Sequence, residues 1–207
     1  MNMKKLFFII SLCFISIITV PSAVINISNY DVMKAVNIIN FQKELSSYTA
    51  DVGVKYKYSS SAKNFLTEEN LSLIIENCDS YPSVIIAMAI IETGWGKHSI
   101  GNNYFGIKGK GHVRKTKEWD GSKFITITDS FQKYNSKADN IRAVSNLLHN
   151  NKRYNIGAAS NYKEAAHLVK NGGYATDPMY AFKIKFIIEK YELHRLDKIK
   201  DNYKNFI

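Results

Sequence analysis

The stretch Ser80-Tyr81-Pro82-Ser83-Val84-Ile85-Ile86-Ala87-Met88-Ala89-Ile90-Ile91-Glu92-Thr93-Gly94-Trp95-Gly96 decides how the rest of the chain is read. Val84 to Ile91 are all apolar, and the run closes on a carboxylate, a glycine and a tryptophan. A segment with no polar face has to be buried on every side. Pro82 suits a first helical turn, where its missing N–H costs nothing, and either Asp79 or Ser80 can cap it. Gly94 or Gly96 is a natural stop. A buried strand would satisfy the same apolar run. On the helical reading Glu92 stands in the last turn, where the core opens to solvent. There the negative end of the helix dipole and partial burial both disfavour the anion. A carboxyl that keeps its proton near neutral pH is what a general acid requires. The plainer reading is that Glu92 is only the first solvated residue after a core element.

Upstream, Thr67-Glu68-Glu69 is a helix start, a capping hydroxyl followed by acids, with Leu71, Ile74 and Ile75 facing the core. Val32, Ala35, Val36, Ile39 and Leu45 recur at helical spacing and predict a helix over Asp31–Ser47. Tyr56 to Asn64 is a polar connector. Downstream, the block from Gly101 to Gly109 is a glycine-rich turn region. Val113–Trp119 and Phe124–Thr128 then predict a hairpin closed by Asp120-Gly121. Ser136 with Asp139 resembles a capping box, and Ile141, Val144, Leu147 and Leu148 share one face of the helix that follows. A further helix over Tyr162–Lys170 stops at Asn171-Gly172-Gly173. Asp177-Pro178 starts the next, with Ala181, Ile184, Ile187, Ile188 and Tyr191 on its apolar face. The tail from His194 is basic, helical at first and then frayed.

Composition bounds the function. The 207 residues make room for one domain of ordinary size, and 45% hydrophobic with 22% charged residues are ordinary for a globular protein. Thirteen Tyr and eleven Phe suit a groove that stacks on sugars, or simply an aromatic core. Residues 1–23 read as a secretory signal: Lys4-Lys5, then an uncharged apolar stretch from Leu6 to Val20, then small residues allowing cleavage after Ser22 or Ala23. That stretch is shorter than the roughly 20 residues of a membrane span, so stable insertion is not expected after cleavage. Cys78 is then the one cysteine of the mature chain and reads as core filler. His98, His112, His149, His167 and His194 share no metal spacing, so neither metal nor cofactor is expected. The net charge of +10 becomes +8 without Lys4 and Lys5, since residues 1–23 hold no acid. A basic exported protein meets polyanions, and export favours anionic cell-wall polymers over nucleic acid, for which no motif is present.

Three blocks together resemble the bacterial N-acetylglucosaminidases that cleave peptidoglycan, glycoside hydrolase family 73 of the autolysin type. They are Ile91-Glu92-Thr93-Gly94-Trp95-Gly96, Asn102-Asn103-Tyr104-Phe105-Gly106-Ile107-Lys108-Gly109, and Gly173-Tyr174-Ala175-Thr176-Asp177-Pro178-Met179-Tyr180-Ala181. The resemblance spans Leu66 to Tyr191. It implies an α+β fold, mostly helical and lysozyme-like, with a small β-hairpin lobe flanking a substrate groove. It divides the chain into a signal (1–23), an N-terminal extension with a helix (24–65) and a catalytic domain (66–207). It implies a secreted hydrolase of the bond between N-acetylglucosamine and N-acetylmuramic acid, with peptidoglycan strands as partner.

The family's acid maps to Glu92. Thr116-Lys117-Glu118 fits its T-x-E pattern, making Glu118 the second carboxylate, to activate water or steady the anomeric positive charge. Asp129 is a weaker spare. Tyr174 matches the tyrosine of the third block and can orient the 2-acetamido group; otherwise it packs beneath the Asp177-Pro178 turn. Asn103, Tyr104 and Phe105 are expected to shape the groove. Trp95 either stacks on a sugar or is buried behind its loop, and Tyr180 is groove wall. The competing functions are a muramidase or lytic transglycosylase on a related fold, and a non-catalytic wall-binding module.

Overall fold

The computed structural model describes residues 28–55 and 59–204. The signal segment, residues 56–58 of the polar connector and the end of the tail lie outside them. In chain order come helices α1 (Asn29–Lys55), α2 (Ser60–Phe65), α3 (Glu68–Asn77) and α4 (Pro82–Thr93), then strands β1 (Gly111–Trp119) and β2 (Phe124–Gln132). Helices α5 (Lys137–Asn150), α6 (Tyr162–Asn171), α7 (Tyr180–Lys190) and α8 (His194–Lys204) follow, with one 3₁₀ turn at Ile156–Ala158.

The Val84–Ile91 run is the helix α4, and it is the centre of the core. Val84 to Ile90 are all at most 2% exposed, enclosed by α3, α6, α7 and α8. Full burial of one such side chain is worth about 1.5–3 kcal/mol, so α4 anchors the fold. Its start is finished differently from the expectation, its end as expected. Asp79 and Ser80 do not cap it: Asp79 bonds Ser145, and Ser80 faces His149. The start is instead held by Asp197 of α8, which accepts from Ser83 N at 2.9 Å and from Ser83 Oγ at 2.7 Å. At the other end Gly94 takes φ 56° and donates its N–H to Ile90 O, a left-handed stop that favours glycine.

Around α4 the local signals are obeyed. Thr67 caps α3 through Asn70 N, and Ser136 caps α5 through Asp139 N. Asn161 caps α6. Asp177 holds Met179 N at 2.8 Å, but regular helix begins only at Tyr180, two residues beyond the proline. Helix α1 is longer than the expected Asp31–Ser47, and of the face expected to turn inward Ala35 and Leu45 are buried. Phe41, Leu45, Tyr48 and Val52 are buried, whereas Val32 and Val36 stay exposed. The Tyr48 hydroxyl donates to Tyr191 O, so α1 is built into the same core as the downstream helices. Cys78 is buried, as core filler should be.

The two strands form one antiparallel hairpin with Trp119 opposite Phe124 and Gly111 opposite Gln132. Its turn uses residues 120–123, not two: the Asp120 carboxylate accepts from Ser122 N, Ser122 Oγ and Lys123 N. The ribbon is mostly exposed, and Phe131 roots it in the domain. The mostly helical fold with a small β-lobe beside a groove is therefore as expected.

Candidate active site

A cleft of about 510 Å³ runs between the hairpin lobe and the start of α7, and Glu92 lies in its floor. Glu92 is reached by solvent along the groove, yet protein encloses it on the remaining sides. This loss of surrounding water pushes its carboxyl above the ordinary glutamate range, and the negative charge of Glu118 adds to the effect. Tyr180 and Lys183 oppose it. The Tyr180 hydroxyl donates to Glu92 Oε1 at 2.6 Å, and Lys183 acts through its charge. Gly106 takes φ 59°, a left-handed turn that favours glycine, and a Cβ there would make an ordinary contact with Glu92 Oε2 at 3.6 Å.

The two tyrosines form a stack beside the acid. Tyr174 and Tyr180 lie 6.0 Å apart with 24° between their planes, and Tyr154 meets Tyr174 edge-on at 6.2 Å. The Tyr174 hydroxyl donates to Phe105 O at 2.7 Å, tying the Gly173–Ala181 block to the Asn102–Gly109 block. Burial first, and then the charge of Glu92, hold both phenols well above the ordinary tyrosine range. Both remain protonated and act as donors across any working pH.

Glu118 lies on β1 in the lobe wall of the same cleft. It accepts from Thr176 Oγ1 at 2.8 Å and pairs with Lys108 at 3.2 Å. Lys108 also pairs with Asp129 at 2.7 Å, and that hydrogen bond holds the Asp129 carboxyl below its ordinary range. Thr176 Oγ1 accepts from Trp119 N as well, so one side chain pins both strand and carboxylate.

Of the eight candidate residues, Glu92, Glu118, Tyr174, Phe105 and Tyr180 converge on the cleft. Tyr180 is only 2% exposed and its hydroxyl is committed to the acid, a closer part in the site than the groove wall expected of it. Phe105 is buried and borders the cleft on one side and a small apolar cavity on the other. Three residues do not reach the cleft. Asn103 is buried, its amide donating to Ile107 O and Gln132 O and accepting from Ile107 N, so it shapes the loop and offers nothing to a ligand. Tyr104 turns to the opposite side, into a small apolar cavity between α3 and α5, with Lys137 over its ring. Trp95 is wedged edge-on between Phe65 and Tyr191 and lines a neighbouring groove. Sequence reasoning missed Lys108, Thr176 and Lys183. The first two stood inside the quoted blocks, where their charge and hydroxyl were the available signal; Lys183 had none.

A carboxyl at the end of a buried helix and a second carboxylate in the wall of the same open groove are the kind of arrangement a glycosidase uses. Residues 69–193 match the family model described as "Glucosaminidase: Mannosyl-glycoprotein endo-beta-N-acetylglucosaminidase", and the chain belongs to this glucosaminidase family. It is 38% identical over 146 residues to the exo-glucosaminidase LytG of Bacillus subtilis, covering 64% of this chain and 52% of that protein. It is 35% identical over 133 residues to a probable N-acetylmuramidase of Lactococcus lactis subsp. cremoris, covering 56% of this chain and 30% of that one. The chain thus spans about half or less of the length of these relatives. Among solved structures, the catalytic domain of the autolysin Auto from Listeria monocytogenes superposes with a TM-score of 0.54 at 28% identity, over 68% of this chain and 89% of that one. The fold is the lysozyme-like one of such peptidoglycan hydrolases.

Proposed function

We propose that the chain is a secreted cell-wall hydrolase cleaving the β-1,4 bond between N-acetylglucosamine and N-acetylmuramic acid in peptidoglycan, with Glu92 as general acid. The observation that carries the reading is the setting of Glu92 itself. It is raised above the ordinary range in the floor of an open cleft and gripped by a buried tyrosine. Family membership and the relatives' names support the substrate class.

In this reading Glu92 gives its proton to the glycosidic oxygen as the bond breaks and positive charge grows on the anomeric carbon. Glu118, fixed by Lys108 and Thr176, activates water or steadies that charge. Tyr174 has its proton committed to Phe105 O, so its oxygen is left to accept from the N–H of the 2-acetamido group. That contact would aim the acetamido oxygen at the anomeric carbon on a substrate-assisted route.

The test is to incubate the purified protein with cell walls and identify the new reducing ends. N-acetylglucosamine ends are expected. Muramic acid ends would select the muramidase reading, which the name of the lactococcal relative favours. Export is supported by the Lys4-Lys5 and Leu6–Val20 pattern, and a mature N-terminus at Ala23 or Val24 in the culture medium is the expected result. Attachment to anionic wall polymers through the net positive charge should weaken as salt rises.

A further inference from the structure

An apolar surface that the chemistry at Glu92 does not use lies on α7. Phe182 and Phe186, one helical turn apart, are 56% and 52% exposed, and their rings stack at 6.2 Å with 21° between planes. Single exposed apolar side chains need no explanation, but a stacked aromatic pair held in water is a contiguous patch and marks a binding surface. A groove of about 440 Å³ runs beside the pair, with Trp95 and Tyr191 in its wall. Ile91 and Lys183 line both this groove and the Glu92 cleft, so the two adjoin. Lys190 completes the rim, its Nζ 5.7 Å from the Phe186 ring centre and 5.5 Å from that of Tyr191.

We propose that this groove is a second binding site for the glycan strand. Resting on the hydrolase reading above, a polymer bound across Glu92 passes over Ile91 and lays a sugar ring on the Phe182–Phe186 platform. Lys190 then meets a carboxylate of the attached peptide. Aromatic faces suit the apolar face of a pyranose, and the rim cation suits an anionic polymer. A second copy of this chain fits poorly, because face-to-face pairing would oppose lysines on two molecules that each carry +8 once residues 1–23 are removed. A short sugar confined to the cleft does not reach the platform, so the site acts on polymer alone.

The experiment measures co-sedimentation with insoluble peptidoglycan on a Glu92→Gln background, with and without Phe182→Ala/Phe186→Ala. A peptide-free tetrasaccharide that fits the cleft serves as reference, and thermal melting confirms that both proteins are folded. The ratio of polymer to tetrasaccharide affinity is expected to fall by about tenfold, the equivalent of two lost ring contacts. Phe182→Tyr/Phe186→Tyr should keep the ratio. An unchanged ratio overturns the proposal, as does a dimer in solution that the alanine pair dissociates. Residual wall lysis by Glu92→Gln is read in the same preparations and bears on the acid alone, so the two readings fail separately.

Discussion

Replacing Tyr180 with phenylalanine removes one hydroxyl and leaves the stacked ring in place. That hydroxyl donates to Glu92 Oε1 at 2.6 Å, a length typical of a charge-assisted bond, and it stabilises the carboxylate over the acid. Such bonds are worth about 1.5–3 kcal/mol. Glu92 is reached by water, which replaces part of the lost bond, so the lower end applies, about 1.5 kcal/mol. Losing it favours the protonated form. A general acid works only while protonated, so activity falls as pH rises through its titration. The Tyr180→Phe variant should therefore keep its activity to higher pH, its alkaline limb moving up by about one pH unit. The phenol cannot produce that limb itself, since burial keeps it protonated well beyond the ordinary tyrosine range. The assay is the pH profile of kcat/KM for release of reducing ends from soluble peptidoglycan fragments, wild type beside variant. An alkaline limb that stays put, or moves to lower pH, would refute the assignment of Glu92 as the acid gripped by Tyr180.

Three further outcomes follow from the same geometry. Glu92→Gln should abolish wall lysis yet raise the thermal midpoint at neutral pH. Its raised folded pKa means the native protein holds a proton the unfolded chain has lost, so the wild-type residue costs stability as pH rises, and no gain is expected at acid pH. Asp197, pushed up to about 6 by burial against its bonds to Ser83, contributes stability in full below about 4 and loses it as pH rises through about 6. Asp197→Asn should flatten that part of a stability–pH curve, and Asp197→Ala should cost about 1–2 kcal/mol by denaturant titration through loss of the α4 cap. Lys108→Met should lower kcat/KM by about tenfold by freeing Glu118, with little change in melting, because exposed ion pairs contribute about 0–1 kcal/mol. Lys108→Arg should restore part of the rate, and wild-type kinetics in Lys108→Met would count against Glu118 as a placed carboxylate.

Where the sequence speaks locally, it was legible. Thr67, Ser136 and Gly94 finish helices through bonds to residues three or four positions away, and each is where its residue type predicts. Position along a block did not reveal direction. Asn103, Tyr104 and Phe105 are consecutive, but one is spent inside its loop, one turns to α3 and α5, and one lies buried between the small apolar cavity there and the cleft. Only tertiary packing separates them. In α1, Val32 and Val36 match helical spacing as well as Phe41 and Leu45 do, and what distinguishes them is the presence of a neighbour. The cap of α4 was beyond local reading, since Asp197 is 114 positions from Ser83. The pairing of Tyr180 with Glu92 spans 88 positions and leaves no periodic trace.

Those two long-range contacts also set an order of events. Chains are made from the N-terminus, and contacts distant in sequence close late. Glu92 precedes Tyr180 and Asp197 by many residues, and until they are added the start of its helix lacks its cap and its carboxyl lacks the tyrosine. A partly made chain therefore carries the carboxyl without the surroundings that shift it. The setting of Glu92 is complete only once the chain has been made as far as Asp197.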